Sequence, residues 1–147
     1  MAERRLPLVG YHFFVEVSGI LTGPFQQAEG LTSESEKIEY KASGPRGEEI
    51  TISQPGRTKY PNITLKRGMT DSMEMWEWRK QIEDGKYKEA MKNGSIVLYD
   101  QQHTEIARWN FENAWPVKVS GPSLNAGNNE VAVETIELSV ESNKRVK

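Results

Sequence analysis

The sequence predicts a mainly β protein, a sandwich or barrel of antiparallel strands with one flanking helix. About eight short segments alternate apolar and polar residues with a period of two, which is typical of half-buried strands. Glycine, proline and asparagine separate these segments, as expected of an all-β domain. Only the segment from Met69 to Gly85 has a helical pattern. The 147 residues fit a single domain, 1–147, with tails at 1–10 and 142–147.

The helix is predicted to span about residues 71–84. Asp71 and Glu74 have the spacing at which two side chains cap each other's free backbone amides. Gly85 supplies the glycine that commonly follows a helix. On a helical wheel the apolar residues form two stripes on opposite sides. One stripe consists of Met75, Trp78 and Ile82, and the other of Met69, Met73 and Trp76.

The second stripe is predicted to contact another subunit, because a lone helix on a small domain has only one core to face. A tryptophan covers roughly 150–250 Å², so leaving Trp76 in water forfeits several kcal/mol. With Met69 and Met73 it approaches the patch size that usually marks an interface. The alternative is that loops of the same chain cover the stripe. Phe14 breaks the alternation of the first strand, Tyr11 to Val17, and is a further candidate contact.

The clearest amphipathic strand is 106–115, which places Trp109, Phe111 and Trp115 on one face. In the last strand, 131–141, the apolar positions change from odd to even numbers. A bulge near Glu134 would reconcile the two halves. The predicted core residues are Trp78, Ile82, Trp109, Phe111, Trp115, Ile136 and Leu138.

The span 44–59 is predicted to be a projecting loop. It is polar, it contains several glycines and prolines, and it is long for a connection in a compact domain. Farther along, Asn93–Gly94 has the strongest hairpin-turn signal in the chain, because both residues tolerate positive φ. Residues 86–92 fit a helix or an extended segment.

Neither composition nor motifs predict catalysis, a cofactor or a metal site. The net charge of −2 offers no broad basic surface for nucleic acid. The absence of cysteine excludes disulfides and thiolate metal ligands. His12 and His103 lack further ligands at a metal-binding spacing. Residues 121–125, GPSLN, differ from a nucleophile elbow at the last position. We therefore expect a protein that is not an enzyme.

The N-terminal residues contain no signal-peptide core, and no window of the chain is apolar enough for a membrane span. We expect assembly in the cytoplasm, without a signal peptide and without stable insertion into a membrane.

Five stretches carry a resemblance to a known family: KYPNITLKRG (59–68), MWEW (75–78), NGSIVLYD (93–100), WNFENAWPVKVSGP (109–122) and NEVAVETIEL (129–138). In order and spacing they resemble the tail-tube proteins of contractile phages, a family that includes the inner-tube proteins of extracellular contractile injection systems. The resemblance implies a β-barrel of two packed sheets with one helix. It also implies hexameric rings that stack helically into a hollow tube.

The resemblance implies partners as well. A sheath surrounds the tube, baseplate or spike and terminator proteins bind its ends, and a cargo effector or DNA occupies the lumen. The particle is released extracellularly or forms part of a virion. The segment 44–59 is long enough to reach the next ring, through Gly44, Pro45, Arg46, Gly47, Gln54, Pro55, Gly56 and Arg57.

The leading hypothesis is therefore a structural protomer of the inner tube of a contractile injection apparatus. One alternative is a phage virion tail-tube protein that conducts DNA. Another is a tube-initiating baseplate ring or binding module, which would form one fixed ring without propagating. An enzyme ranks after these, because no cluster of titratable residues suggests a pocket.

Overall fold

The computed structural model describes residues 12–18, 21–127 and 131–147, and these ranges contain ten strands and two short helices. Tyr11 and the predicted tail 1–10 lie outside the described residues. The elements are β1 (Phe13–Val17), β2 (Leu21–Pro24), β3 (Gln27–Glu29), β4 (Glu34–Ser43), β5 (Glu49–Lys59), β6 (Ile63–Gly68), α1 (Glu74–Glu83), α2 (Tyr87–Ala90), β7 (Lys92–Tyr99), β8 (Glu105–Ser120), β9 (Val133–Ser139) and β10 (Ser142–Arg145).

The main sheet is antiparallel and runs in the order β2-β1-β7-β8-β9-β6-β3, with β10 also paired to β8. Its organising element is the 16-residue strand β8. The first part of β8, as far as Ala114, pairs with β7, and its residues 109–112 also pair with β10. The part from Trp115 to Ser120 pairs with β9. β8 therefore belongs to two half-sheets that pack across a common core, which confirms the predicted mainly β class.

The hydrogen bonding of the described strands does not close the main sheet into a barrel. Its edge strands, β2 and β3, are consecutive in the chain and are joined by Phe25 and Gln26. Phe25 is buried at this corner, and the backbone N–H of Gln26 donates to the carbonyl of Lys66 at 2.7 Å. The two edges are thus connected covalently, and the barrel expected from the sequence is open there.

The core lies between the two half-sheets and under α1. The indole N–H of Trp78 donates to the carbonyl of Ala90 at 2.6 Å, which ties α1 to the end of α2. The fully buried apolar side chains come from both half-sheets and from α1: Val15, Val17, Ile63, Leu65, Met75, Trp78, Phe111, Ile136 and Leu138.

The predicted core and the observed core differ at two tryptophans. Trp78, Phe111, Ile136 and Leu138 are buried, and Ile82 packs against the edge of the core. Trp109 and Trp115, in contrast, are only half-buried and do not belong to the core cluster.

A phase shift within β8 explains Trp115. Asn113 has a φ of 50°, and the register with β7 shifts between Lys92 and Gly94. Before this irregularity the buried residues are odd-numbered, and beyond it the even-numbered Ala114 and Pro116 are buried. Trp115 therefore faces away from the core.

Trp109 lies on the same face as Phe111 but toward the β10 edge of the sheet. Trp109 pairs with Arg145, whose guanidinium lies 5.7 Å from the centre of the indole ring. This cation–π contact replaces the core packing that the sequence predicts for Trp109.

The bulge predicted in the last strand is absent. The pairing of β9 with β6 runs without interruption from Val133 opposite Gly68 to Leu138 opposite Ile63. Glu134 consequently lies on the core face and is 1% exposed. Arg67 compensates its charge, with Nε 3.4 Å from Oε2. Periodicity of apolar residues fails to predict this arrangement because the strand buries a paired charge.

The predicted capping box at the start of α1 is wrong. The helix begins at Glu74, Met73 occupies the N-cap position, and no side chain makes a cap hydrogen bond there. The backbone N–H of Glu74 donates instead to the hydroxyl of Ser72 at 3.4 Å. Asp71 is exposed and precedes the helix.

The glycine at the other end of α1 acts as predicted. Gly85 has a φ of +81°, and its N–H donates to the carbonyl of Ile82 at 3.0 Å. The N–H of Lys86 donates to the carbonyl of Gln81 at 2.9 Å. The two bonds form a Schellman motif, which satisfies carbonyls at the helix end.

Asn93–Gly94 is not a turn, because both residues lie within β7. A Cβ atom at Gly94 would stand 2.5 Å from the ring of Phe111 and 2.6 Å from the carbonyl oxygen of Glu16. The position requires glycine because neighbouring groups pack closely against it, not because of a positive φ.

The predicted tail 142–147 is largely strand. Ser142–Arg145 forms β10, and Asn143 is 7% exposed. Its side-chain amide donates to the carbonyl of Thr32 at 3.1 Å. The ambiguous span 86–92 contains the short helix α2 and the first residue of β7.

Candidate subunit interface

The second sheet of the protein is a hairpin formed by β4 and β5, residues 34–59, which pair only with each other. The span 44–59 is thus not an irregular loop: a tight turn at 44–48 leads into β5. The turn is closed by the N–H of Gly44, which donates to the carbonyl of Glu48 at 2.7 Å. Gly47 within it has a φ of +79°.

One face of the hairpin is apolar. Tyr40 lies opposite Ile52, and Ala42 lies opposite Ile50. Because residues that face each other across antiparallel strands share a side of the sheet, these side chains lie together. The apolar hairpin face consists of Ile38, Tyr40, Ala42, Ile50 and Ile52. The exposed fractions of Ile38 and Tyr40 are 50% and 47%, although apolar side chains of this size are usually buried.

The opposite face of the hairpin is charged. Lys37 Nζ lies 2.7 Å from the carboxylate of Glu39, and Lys41 Nζ lies 3.2 Å from that of Glu49. These side chains are more than half exposed, so each pair contributes at most about 1 kcal/mol to stability. The two faces therefore differ in character, because one carries charged pairs and the other exposed apolar side chains.

At the base of the hairpin, Lys59 Nζ lies 2.7 Å from the carboxylate of Glu36. The hydrogen bond from Lys59 to Glu36 raises the pKa of Lys59 above its ordinary value, and the charge of Glu36 adds to the effect. This pair joins the start of β4 to the end of β5.

The described residues of the chain leave the apolar hairpin face uncovered. An isolated two-stranded hairpin is at best marginally stable in water. Each strand also has one edge of backbone N–H and C=O groups outside its pairing, which another chain can bind. Both features favour a second protein segment against the hairpin.

The residues predicted to contact the next ring are divided between two parts of the hairpin. Gly44, Pro45, Arg46 and Gly47 lie in its turn, and Gln54, Pro55, Gly56 and Arg57 lie within β5. Pro55 and Gly56 accompany an irregularity of the register between Ser35 and Lys37, not a second turn. A Cβ atom at Gly56 would stand 3.1 Å from the carbonyl oxygen of Glu36.

The second stripe of α1 is partly exposed. Met69 and Met73 are 48% and 58% exposed. Trp76 is half-buried, because it packs against the edge of the core and lies 3.8 Å from where a Cβ atom of Gly121 would stand. The described residues thus cover part of Trp76 and leave about half of each methionine exposed.

Phe14 belongs to a different surface. It is half-buried on β1 and lines an open groove of 340 Å³. The groove is also lined by His12, which precedes β1, Phe13 of β1, Tyr99 at the end of β7 and His103 in the turn that follows. The rings of the two histidines meet edge to face, with centroids 5.2 Å apart. The structure therefore does not join Phe14 and the stripe of α1 into one patch.

The described ranges contain no group of three or more histidine, cysteine or carboxylate side chains placed to hold a metal ion. They also contain no helix that combines the length and the apolar character required to cross a bilayer.

The apolar hairpin face is the feature that the sequence reading missed, although its signal was present. Ile38 and Tyr40 alternate with charged residues before the turn, and Ile50 and Ile52 alternate with polar residues after it. Two alternating runs around a turn containing glycine and proline predict a hairpin. The prediction of a projecting loop over 44–59 separated the second run from the first, so the two were not combined into one face.

Comparison with protein families decides what kind of protein has this fold. The family model described as T4-like virus tail tube protein gp19 matches residues 9–144. The chain belongs to this family. It is a structural tail tube protein and not an enzyme. Comparison with curated protein sequences gave no match.

Solved structures agree with this tail tube assignment. A chain in the cryo-EM structure of the PVC sheath–tube complex of an extracellular contractile injection system, in its extended state, is 28% identical. The TM-score is 0.79, and the match covers 95% of this chain and 90% of that one. A chain in the anti-feeding prophage cap, described as the AFP tube terminating cap, is 29% identical with a TM-score of 0.80. That match covers 99% of this chain and 94% of the other.

The same fold extends to a more distant protein. Hcp1 from Flavobacterium johnsoniae is 15% identical with a TM-score of 0.59, and the match covers 92% of this tail tube protein and 95% of Hcp1. At this identity the likeness concerns the fold alone.

Proposed function

We propose that this tail tube protein is the inner-tube protomer of a contractile injection system and that it assembles as hexameric rings stacked head to tail. The observation that carries the proposal is the apolar hairpin face, which the described chain leaves in solvent. Family membership and the likeness to chains of the PVC and AFP particles support it.

Head-to-tail assembly requires two different surfaces on each subunit. The hairpin provides one, on a projecting two-stranded element. Met69 and Met73 beside α1 provide a second, on the main body of the protein. In our proposal Met69, Met73, Trp76 and Phe14 contribute to contacts between subunits, and the hairpin, including its turn, contacts the next ring. Such contacts close a ring in one direction and extend the tube in the other.

A tube assembled in this way is expected to have further protein partners. A sheath protein surrounds the tube, baseplate or spike and terminator proteins bind its ends, and an effector protein passes through the lumen. Chains similar to this one occur in a sheath–tube complex, a sheath/tube terminator and a tube terminating cap. The complete particle is assembled in the cytoplasm and released.

The test uses two neighbouring residues on opposite faces of β5. Ile52→Lys places a charge on the apolar hairpin face, whereas Thr51→Lys places the same charge on the charged face. Electron microscopy and analytical ultracentrifugation of the two purified variants are expected to show tubes for Thr51→Lys and dispersed, folded subunits for Ile52→Lys. Tubes of equal length and number from both variants would contradict the assignment of this face.

Of the two alternative functions, the same images test only the tube-initiating ring or binding module. A tube-initiating ring or binding module would give one ring of fixed height from the wild-type protein at every concentration. A virion tail tube would give the same tubes as an injection system. Particles purified from the native source separate these two cases, since a virion carries a DNA-filled head and an injection particle does not.

A further inference from the structure

Strand β9 and the residues before it carry two competing apolar patterns. Val131 and Val133 occupy odd positions, whereas Ile136 and Leu138 occupy even positions. Because successive residues of a strand point to opposite faces, a regular strand buries only one of the two sets. The structure follows the even positions, and Glu134, not Val133, therefore points into the core.

Arg67 provides the positive charge that compensates the buried carboxylate of Glu134. Its Nε lies 3.4 Å from Glu134 Oε2, and its Nη1 lies 3.7 Å from Glu74 Oε2 in the first turn of α1. Its guanidinium also lies 5.6 Å from the centre of the Phe25 ring, at the corner between β2 and β3. The Arg67 and Glu134 side chains are only 11% and 1% exposed.

Burial of the Arg67–Glu134 ion pair is energetically less favourable than apolar packing of the same space. Arg67 Nη2 and Glu134 Oε1 are buried and have no hydrogen-bond partner among the described residues. Replacement of a buried ion pair by apolar residues of similar volume is often neutral or stabilising, whereas removal of one partner leaves a buried charge uncompensated. Stability alone therefore does not explain the pair, but selection between two arrangements of the strand does.

We propose that the Arg67–Glu134 pair selects which face of residues 131–134 is buried. With the pair intact, Glu134 points inward and the two valines point outward. Without Arg67, a bulge at residues 134–135 turns Val133 into the core and Glu134 toward solvent, so that both apolar sets are buried.

The orientation of residues 131–134 also determines which of their side chains are exposed at the surface. In the observed arrangement Val131 and Val133 line an open groove of 330 Å³ with Pro122 and Leu124. Val131 is 76% exposed and Leu124 is 83% exposed. The groove adjoins Met69, whose backbone N–H donates to the carbonyl of Ala132 at 2.8 Å. The buried ion pair thus keeps this groove, which has both polar and apolar lining residues, open beside Met69.

Thiol labelling tests the switch directly, because the chain has no cysteine and each variant therefore carries a single thiol. Val133→Cys reports the switching half of the strand. Glu137→Cys, on the same outward face of the regular half, is the matched control. When Arg67→Met is added, the maleimide labelling rate of Val133→Cys is expected to fall at least about tenfold, as for a group exposed only by local opening. The rate of Glu137→Cys is expected to stay unchanged.

A double replacement distinguishes the switch from a general loss of structure. Arg67→Met with Glu134→Leu restores an unbroken even pattern, and the labelling rate of Val133→Cys is expected to return to that of the parent. Near-UV circular dichroism checks that each variant is folded. The proposal is overturned if folded Arg67→Met labels at the parental rate, if the double variant stays protected, or if Arg67→Met unfolds instead of switching. These measurements use dispersed protein, so their failure leaves the proposed tube function untouched.

Discussion

The main sheet and the hairpin are built from the same kind of antiparallel strand, yet their apolar faces are buried to opposite extents. Phe111 of β8 is 1% exposed, whereas Tyr40 of β4 is 47% exposed. The face around Phe111 is covered by the second half-sheet and α1, but the described chain provides no cover for the face around Tyr40. The difference indicates that the main sheet supplies the free energy of folding and that the hairpin supplies a surface for association.

The largest expected effect is on the free energy of unfolding. It compares an aromatic residue of the main sheet with one of the hairpin. Phe111→Ala removes a fully buried ring and is expected to lower the free energy of unfolding by about 3–5 kcal/mol. Tyr40→Ala, on the hairpin, is expected to lower it by less than about 1 kcal/mol. Urea denaturation of the dispersed protein measures both. Equal losses would mean that the hairpin is part of the folding core.

A smaller loss of stability is expected for a substitution at Gly94, because neighbouring groups of the main sheet pack closely around it. Gly94→Ala forces a methyl group against the Phe111 ring and the carbonyl oxygen of Glu16, so it is expected to cost about 1–3 kcal/mol of stability. Gly127→Ala is the control, because its nearest neighbour would be an oxygen of Asn125 at 3.8 Å. Thermal unfolding of both variants tests the difference, and an unchanged midpoint for Gly94→Ala would argue against the tight packing of β7 on β8.

The regularity of the main sheet is also what made it predictable. Alternation of apolar residues identified the strands, and it placed Phe111, Ile136 and Leu138 on the core face, where the structure has them. The alternation did not predict the orientation of Trp115, because the irregularity at Asn113 changes which residues of β8 face the core. It failed again at Glu134 because Arg67, distant in sequence, makes burial of a carboxylate possible.

The hairpin was harder to predict for a different reason. Its strands have the same alternation, but their apolar residues are exposed, and the sequence of one chain does not show what would cover them. The glycines and prolines of 44–59 also led to the prediction of a loop where the structure has β5. The contact role of Met69 and Met73 is compatible with their exposure and remains a prediction.

The smallest expected effects are on the pH dependence of stability, and they differ between the two regions. In the main sheet the hydrogen bond from Arg108 lowers the pKa of Glu105, against the opposing effect of desolvation. A lowered pKa in the folded state gives stability that is present above the ordinary value of 4.5 and is lost as the pH falls through the lowered pKa. Glu105→Gln is therefore expected to flatten the acid limb of the stability curve.

Lys59 in the hairpin is expected to affect stability at alkaline pH in the same way. Because the pKa of Lys59 is raised, the stability from its pair with Glu36 is present below the ordinary value of 10.5 and is lost as the pH rises through the raised pKa. Lys59→Gln is expected to flatten only the alkaline limb, and Glu105→Gln only the acid limb. Denaturation curves across the pH range test both, and a variant that changes the other limb would contradict the attribution.

Hydrogen exchange tests most directly the claim that copies of the chain cover the hairpin. In dispersed protein we expect the amides of β4 and β5 to exchange rapidly and those of β7 and β8 to be protected, because only the latter belong to the buried sheet. After assembly into tubes, the amides of β4 and β5 are expected to become protected as well. Hairpin amides that exchange equally fast before and after assembly would contradict the account.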